Sequence, residues 1–268
     1  MSVQTLYTAA TGMQAMETKL DVIANNLANI NTTGFKKDRA NFEDLLYRTE
    51  VYPGVLDANQ TPTAVGTQVG LGVRVTSTQT DHSQGTFQQT GRDLDVAIQG
   101  RGFMRVIDPA EQRVMFTRAG NLDINAEGNL VIGSAQTGRL LDPPVNIPNN
   151  ATAVVINPSG EVMVRLPNQD ELAVQGNIQL AQFVNPDGLQ KVGENMYAVT
   201  DASGPEQPAQ PGQDGTGILR QGNLEASNVQ PVQELIDLIT TQRAFELNSQ
   251  AVQAGDQIMQ NISNLRRF

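Results

Sequence analysis

Few residues in this chain could do chemistry, and their spacing is poor for it. His82 is the single histidine among 268 residues, which removes multi-histidine metal sites and leaves one candidate general base. It stands in Asp81-His82-Ser83, three residue types of a hydrolase triad, but neighbours along an extended chain cannot converge on one point. Asp93 and Asp95 are the nearest acidic pair in the middle of the chain. Their i, i+2 spacing predicts both on one face of a strand, where exposed acidic pairs are commonplace. Gly100-Arg101-Gly102-Phe103 lacks the third glycine and the following helix of a dinucleotide fingerprint, so it is a turn. Asp123-Ile124-Asn125-Ala126-Glu127-Gly128 resembles the start of a calcium loop, yet position twelve is Ser134 rather than glutamate and no helix flanks it. With no cysteine, thiolate nucleophiles, disulfides and cysteine-based zinc sites are excluded. The expectation is a protein without catalytic, cofactor-binding or metal-ligating residues, and without a small-molecule substrate.

Composition narrows the class further. A net charge of −10 and a pI near 4.6 argue against nucleic acid, because phosphate binding needs a Lys/Arg surface. Apolar residues are 39% and aromatics 4%, with no tryptophan, so the core must come from Val, Ile, Leu and Ala. The opening residues lack the basic start and unbroken apolar run of a secretory signal. No stretch approaches the ~18 apolar residues of a membrane span. These features predict a soluble protein that does not use the general secretory route.

Positioning falls to helices at both ends and strands between them. Leu6, Met13, Leu20 and Leu27 recur in heptads, with Ala9, Met16, Ile23 and Ile30 three places later each time. That a/d seam belongs to a helix packed along its length against other helices. It predicts about 29 helical residues, about 43 Å, capped by Ser2 and stopped by Gly34 as a left-handed C′ residue with Phe35 as its apolar contact. Asn25, Asn26 and Asn29 lower helix propensity there. They suit either a solvated polar face or close hydrogen-bonded packing.

Phe42-Glu43-Asp44-Leu45-Leu46-Tyr47 is expected as a short amphipathic continuation. Residues 51–68, with Tyr52, Pro53, Gly54, Pro62 and Gly66, are too long for an ordinary connection and form a functional arm or a flexible linker. Alternation of Val69, Leu71, Val73 and Val75 marks a strand. From about Asp95 to Thr200, short β-prone runs are separated by turns, three of them Asn-x-x-Gly at Asn125, Asn157 and Asn185. Residues 201–217 form a surface loop or linker. The last helix is expected to be capped near Ser227 or Asn228, with Pro231 in its first turn. Its apolar positions are Leu235, Leu238, Ile239, Phe245, Val252, Met259 and Ile262. Thr241, Asn248 and Gly255 interrupt them, which suits close approach among several neighbours. The fold class is α+β: paired terminal helices as a coiled coil, a central all-β domain and an extended arm. The expected divisions are 1–50, 51–80, 81–222 and 223–268.

Three stretches carry a resemblance. Residues 24–36, from Ala24-Asn25-Asn26-Leu27-Ala28-Asn29-Ile30 through Gly34-Phe35-Lys36, resemble the N-terminal signature of the bacterial flagellar rod and hook axial family. Leu224-Glu225-Ala226-Ser227-Asn228-Val229, followed by Leu238 to Glu246, is similar to that family's C-terminal signature. Residues 95–103 resemble the start of its β domain. The arm, with His82-Ser83-Gln84-Gly85 and Gly193-Glu194-Asn195-Met196-Tyr197, resembles the distal-rod members, with a proximal rod or hook-type axial protein of the same family as the alternative.

The resemblance implies a structural subunit of the basal-body rod, polymerised as a helical tube that carries torque to the hook. Terminal helices would line the inner wall, the β domain would face outward, and the arm would stiffen the tube. Implied partners are further copies of the chain, proximal rod proteins, the hook protein, the P- and L-ring proteins, the rod cap protein and the flagellar type III export apparatus. The implied location is the periplasm, reached without a cleaved signal. A binding or adhesive β protein with oligomerising helices is the rival class.

Overall fold

The computed structural model describes residues 3–54, 65–108, 113–133, 138–167 and 171–265. The chain forms two compact units, a helical unit of residues 1–28, 38–79 and 230–268, and a β unit of residues 29–37 and 80–229. Among the described residues no helix is long and apolar enough to cross a membrane.

In the helical unit, α1 spans Val3–Ala28 and α2 spans Pro231–Leu265, about 39 and 52 Å at 1.5 Å per residue. They run antiparallel. Asn26 Nδ2 donates to Glu234 Oε2 at 3.3 Å, Gly12 lies against the Asn248 amide, and Gly255 lies against Leu6. The start of α2 is set by Pro231, whose missing N–H costs nothing at the first helical position. The cap position is therefore Gln230, whose carbonyl accepts the Glu234 N–H at 3.0 Å. Ser227 and Asn228, expected as caps, are engaged elsewhere. Glu234, in the first turn, is favourably placed against the positive end of the helix dipole.

Two local expectations are corrected. Helix α1 ends at Ala28, because Asn29 opens successive turns (Thr32 N–H to Asn29 O, Phe35 N–H to Thr32 O). Gly34 does have a positive φ of 70°, but it is not the helix stop. Phe42–Tyr47 is not helical either. Strand Asp38–Asp44 pairs with Val73–Thr80, and Tyr47–Val51 pairs with Thr67–Gly70. Partners some 30 residues away thus override a weak amphipathic pattern, as long-range pairing commonly does.

The β unit is antiparallel throughout its described pairings. Its main sheet runs in the order Gln190–Gly193, Met196–Ala198, Val114–Thr117, Phe103–Ile107, Arg139–Leu141, Leu130–Ile132, Leu122–Ile124. Leu180–Gln182 also joins Phe103–Ile107 and carries Gln207–Ala209. A second sheet comprises Ala153–Ile156, Glu161–Arg165 and Leu172–Asn177. The turns at Asn125 and Asn157 close hairpins. That at Asn185 does not; Pro186 starts one turn of 3-10 helix there, and its flanking strands pair with other strands. The loop expected at residues 201–217 includes strand Gln207–Ala209. Val96, Ile98, Met104, Val106, Leu130, Val145, Val162, Val164, Ile178 and Leu219 make one buried aliphatic core. Phe103, Phe116, Leu189 and Tyr197 form a smaller aromatic cluster with Phe183.

Candidate assembly surfaces

The chemistry-bearing residues serve the β unit's own architecture. Asp81 Oδ1 accepts the Ser83 N–H at 2.9 Å, and Ser83 Oγ accepts from Asn228 Nδ2 at 3.0 Å, so Asp81-His82-Ser83 is a pinned turn. Burial opposes ionisation of Asp81, but the Ser83 hydrogen bonds and Lys37 outweigh it and hold the carboxyl below its usual range. The His82 ring sits edge-on to Phe103 at 5.5 Å and tilted against Tyr197 at 5.7 Å. Its Nδ1 is buried without a hydrogen-bond partner. Burial pushes the imidazole down to about 4; Lys36, Arg118 and Lys191 push the same way and Asp187 opposes them. The result is a neutral ring in the aromatic wall of a cavity of about 630 Å³ that Phe183 and Arg101 also line.

Asp93 and Asp95 do not share a strand face. Asp93 is exposed in a turn, whereas Asp95 is buried and lies 4.0 Å from Arg92. Asn125 Oδ1 accepts the N–H groups of Glu127 and Asn129 at 3.1 and 2.8 Å, closing a hairpin rather than facing a cation. Ser134 lies outside the described residues.

The terminal helices present two different faces. Helix α2 turns Glu234, Thr241, Asn248 and Gly255 toward α1, one every seven residues; Asn248 is half-buried and the others buried. Helix α1 meets them with Leu6, Gly12 and Asn26, and its buried residues are Gly12, Ala15, Ile23 and Asn26. Small and polar side chains of α2 therefore make its side of the contact, with Leu6 of α1 packed over Gly255. Of the apolar seam in α1, Ile23 is buried, while Leu6, Met13, Met16, Leu20 and Leu27 are half-buried and Asn25 is exposed. In α2, Leu235, Ile239, Phe245 and Met259 are exposed, Leu238 and Val252 half-buried; the side chain of Ile262 lies outside the described set.

A second apolar stripe, not apparent from the heptads, consists of Val232, Ile236, Ile239 and Leu247. At 3.6 residues per turn these fall within an arc of about 80°, roughly opposite the face toward α1. They are 70%, 49%, 56% and 66% exposed. An exposed apolar stripe along a long helix is the kind of surface that partners cover.

The base of the arm is the two-stranded ribbon Tyr47–Val51/Thr67–Gly70. Gly66 is needed there, since a Cβ would come 2.4 Å from the Val51 carbonyl oxygen and 2.8 Å from Pro53 Cδ. Gly54 turns the chain with a φ of 86°. Leu46, Tyr47, Tyr52 and Val65 are exposed, and an isolated two-stranded ribbon is marginal in water. Pro62 lies outside the described residues.

Family models match at three places in the chain. One described as flagella basal body rod protein covers residues 6–36. The flagellar hook protein FlgE/F/G D1 domain covers 97–164, and the flagellar basal body rod FlgEFG protein C-terminal domain covers 220–265. The flagellar basal-body rod protein FlgG of Caulobacter vibrioides is 45% identical over 266 residues, 98% of this chain and 99% of that protein. FlgG of Buchnera aphidicola subsp. Baizongia pistaciae is 42% identical over 260 residues, 97% and 98% of the two chains. The chain belongs to the FlgG family of flagellar basal-body rod proteins. A flagellar hook-basal body complex protein of Bacillus subtilis, FlhP, is 32% identical over 278 residues, 98% of this chain and 99% of that one. The resemblance of the terminal motifs to rod and hook proteins thus agrees with the relatives. The protein is a structural subunit of the flagellar rod and not an enzyme.

Two rod-family motif stretches also hold residues whose role the sequence did not disclose. Lys36 and Glu225 are fully buried, and Arg118 nearly so. Lys36 Nζ donates to Glu225 Oε1 at 2.5 Å and to the Ser83 carbonyl at 2.7 Å. Arg118 Nε reaches Glu225 Oε2 at 3.1 Å, and its Nη2 reaches the Gly100 carbonyl at 2.7 Å. The Gly85 N–H adds a third donor to the carboxylate, at 2.9 Å. Burial, with Arg118 beside it, holds the Lys36 ammonium below its ordinary range despite the pull of Glu225. Gly34 belongs to the same site: a Cβ there would come 2.8 Å from the Ala119 nitrogen, and its N–H donates to the Glu225 carbonyl at 2.8 Å. Phe35 is buried, and Lys191 Nζ lies 4.9 Å over its ring. Asn29 and Ile30 are half-buried in this segment. Nothing local in the sequence marks these charges as buried; the packing shows it.

Proposed function

We propose that the subunit polymerises into a straight helical tube, the distal rod, by burying the apolar surfaces of its antiparallel helix pair against neighbouring copies. The exposed stripe of Val232, Ile236, Ile239 and Leu247 on α2 carries this reading. Such a tube needs heterologous, non-closing contacts, in which one surface matches a different surface on the next copy. The stripe and the half-buried seam of α1 (Leu6, Met13, Met16, Leu20, Leu27) are two such surfaces. On assembly the pair becomes one coiled-coil stave of an inner wall. Before assembly its apolar faces lack partners, so the helices gain most of their order on incorporation.

The β unit faces outward, toward the ring proteins, and the arm braces the tube through Tyr52 and its neighbours. Proximal rod proteins and the hook protein adjoin its two ends. Delivery by the type III export apparatus and rod cap protein places the rod in the periplasm. The family membership and the arm's resemblance to distal-rod members support this assignment.

The double substitution Ile236→Asp/Leu247→Asp tests the assembly surface. Each carboxylate would be desolvated in a packed wall, so polymer should fall at least a hundredfold in sedimentation and negative-stain assays, with the β unit still folded. Wild-type polymer from that variant would refute the assignment.

A further inference from the structure

The Lys36–Glu225–Arg118 cluster lies entirely within the β unit, yet its charges come from three distant parts of the chain. Lys36 and Glu225 are 189 positions apart. Lys36 follows the turns after α1, Glu225 precedes α2, and Arg118 lies beside the central strand Val114–Thr117. Hydrogen bonds close to the cluster lace the same segments again. Asn228 Oδ1 accepts the Lys37 N–H at 2.8 Å, and Asn228 Nδ2 donates to the Asp81 carbonyl at 2.8 Å. The Asp81 N–H donates to the Lys37 carbonyl at 2.9 Å. The Lys36 carbonyl accepts from Lys191 Nζ at 2.9 Å.

We infer that this cluster is a latch that makes residues 29–37 and 223–229 integral parts of the β unit, whether or not the terminal helices are ordered. The physical reason is the charge balance. Two buried cations share one buried carboxylate, so Lys36 and Arg118 are each tolerable there only while Glu225 is in place. Departure of residues 223–229 would strand Lys36 and Arg118 as unpaired buried cations, and departure of residues 29–37 would take Lys36 from both Glu225 and the Ser83 carbonyl. The protection that the latch supplies therefore ends at Lys37 and Val229. The latch gives the rod subunit a rigid body with a fixed pair of exits for its helical ends. It goes beyond the assembly reading and does not depend on it.

The test is amide exchange on the full-length free subunit and two variants. In the wild type, residues 29–37 and 223–229 should be protected comparably to the core strand Val96–Gln99. In Lys36→Met, the remaining Arg118–Glu225 pair stays matched, so residues 29–37 should exchange at least tenfold faster while 223–229 keep their protection. In Glu225→Ala, both segments should lose protection at least a hundredfold. Should that variant fail to fold, Lys36→Met still decides. Unchanged protection of residues 29–37 in Lys36→Met would overturn the latch, as would joint loss in both segments. Ordered helices in the free wild-type subunit would count against assembly-coupled folding but leave this comparison of variants intact.

Discussion

In the β unit Val106, Leu130 and Val162 are completely buried, while in α2 Ile239 and Leu247 stand 56% and 66% exposed. The two units also treat polar groups in opposite ways. The β unit buries Lys36, Arg118 and Glu225 and matches them to one another. The helical unit places Glu234, Thr241 and Asn248 along its internal seam and leaves isoleucines and leucines outside. The β unit has a closed aliphatic core, although Val174 and Val184 remain exposed at its surface. A stave hides its apolar side chains only when the wall is complete. Under the proposed assembly, the difference separates the part that folds alone from the part that completes itself against neighbouring copies.

The comparison breaks first if the β unit does not own its stability. Leu130 is fully buried in the main sheet, and leucine-to-alanine changes at such sites cost about 2–5 kcal/mol. Leu130→Ala should lower the stability of the β unit by that amount, read from urea unfolding, and leave the assembly interface unaltered. Unchanged unfolding combined with lost polymerisation would show that the two units are energetically one.

His82 offers a sharper probe of the same unit. A histidine that titrates at 6.5 when unfolded and at about 4 here makes the unfolded state bind more protons between those values. Stability is therefore complete above pH 6.5 and falls as pH drops toward 4, by about 3 kcal/mol. His82→Phe keeps an aromatic ring against Phe103 and Tyr197 and removes the proton. Its stability should be flatter across that window by a similar amount, measured as urea midpoints at half-unit pH steps. Parallel curves for the two proteins would show that the buried ring is not the source of the slope.

The seven-residue recurrence from Leu6 to Leu27 located the helix, because an apolar period held over that length fits little besides a packed helix. It did not say which face turns inward. A stripe that meets a partner helix in the same chain and one that meets a neighbouring copy are identical in sequence. Val232, Ile236 and Leu247 were not legible because they lie off the seam. The strand at Asp38–Asp44 was illegible for another reason: its pairing with Val73–Thr80 is a long-range fact. Hairpins at Asn125 and Asn157 were legible because Gly128 and Gly160 need positive φ, 84° and 92°, and that requirement is local. Lys36, Arg118 and Glu225 are the extreme case, since no local pattern marks a lysine as buried.

The smallest expected effect concerns charge on the helical unit. Arg74 Nη2 lies 2.9 Å from Glu43 Oε2, and the two side chains are 65% and 48% exposed. It resembles the Lys36–Glu225 contact in length and differs from it in burial. Water screens the pair, and holding two long side chains in one geometry offsets much of the gain, so its worth is about 0.2–1 kcal/mol. Arg74→Ala should shift unfolding by no more than that, and high salt should erase the shift, whereas the fully buried Lys36–Glu225 pair is screened far less. If Arg74→Ala instead abolished polymerisation with monomer stability unchanged, the pair would belong to the contact between copies. The strand pair Asp38–Asp44/Val73–Thr80, and not only α2, would then have to be counted among the surfaces that assemble.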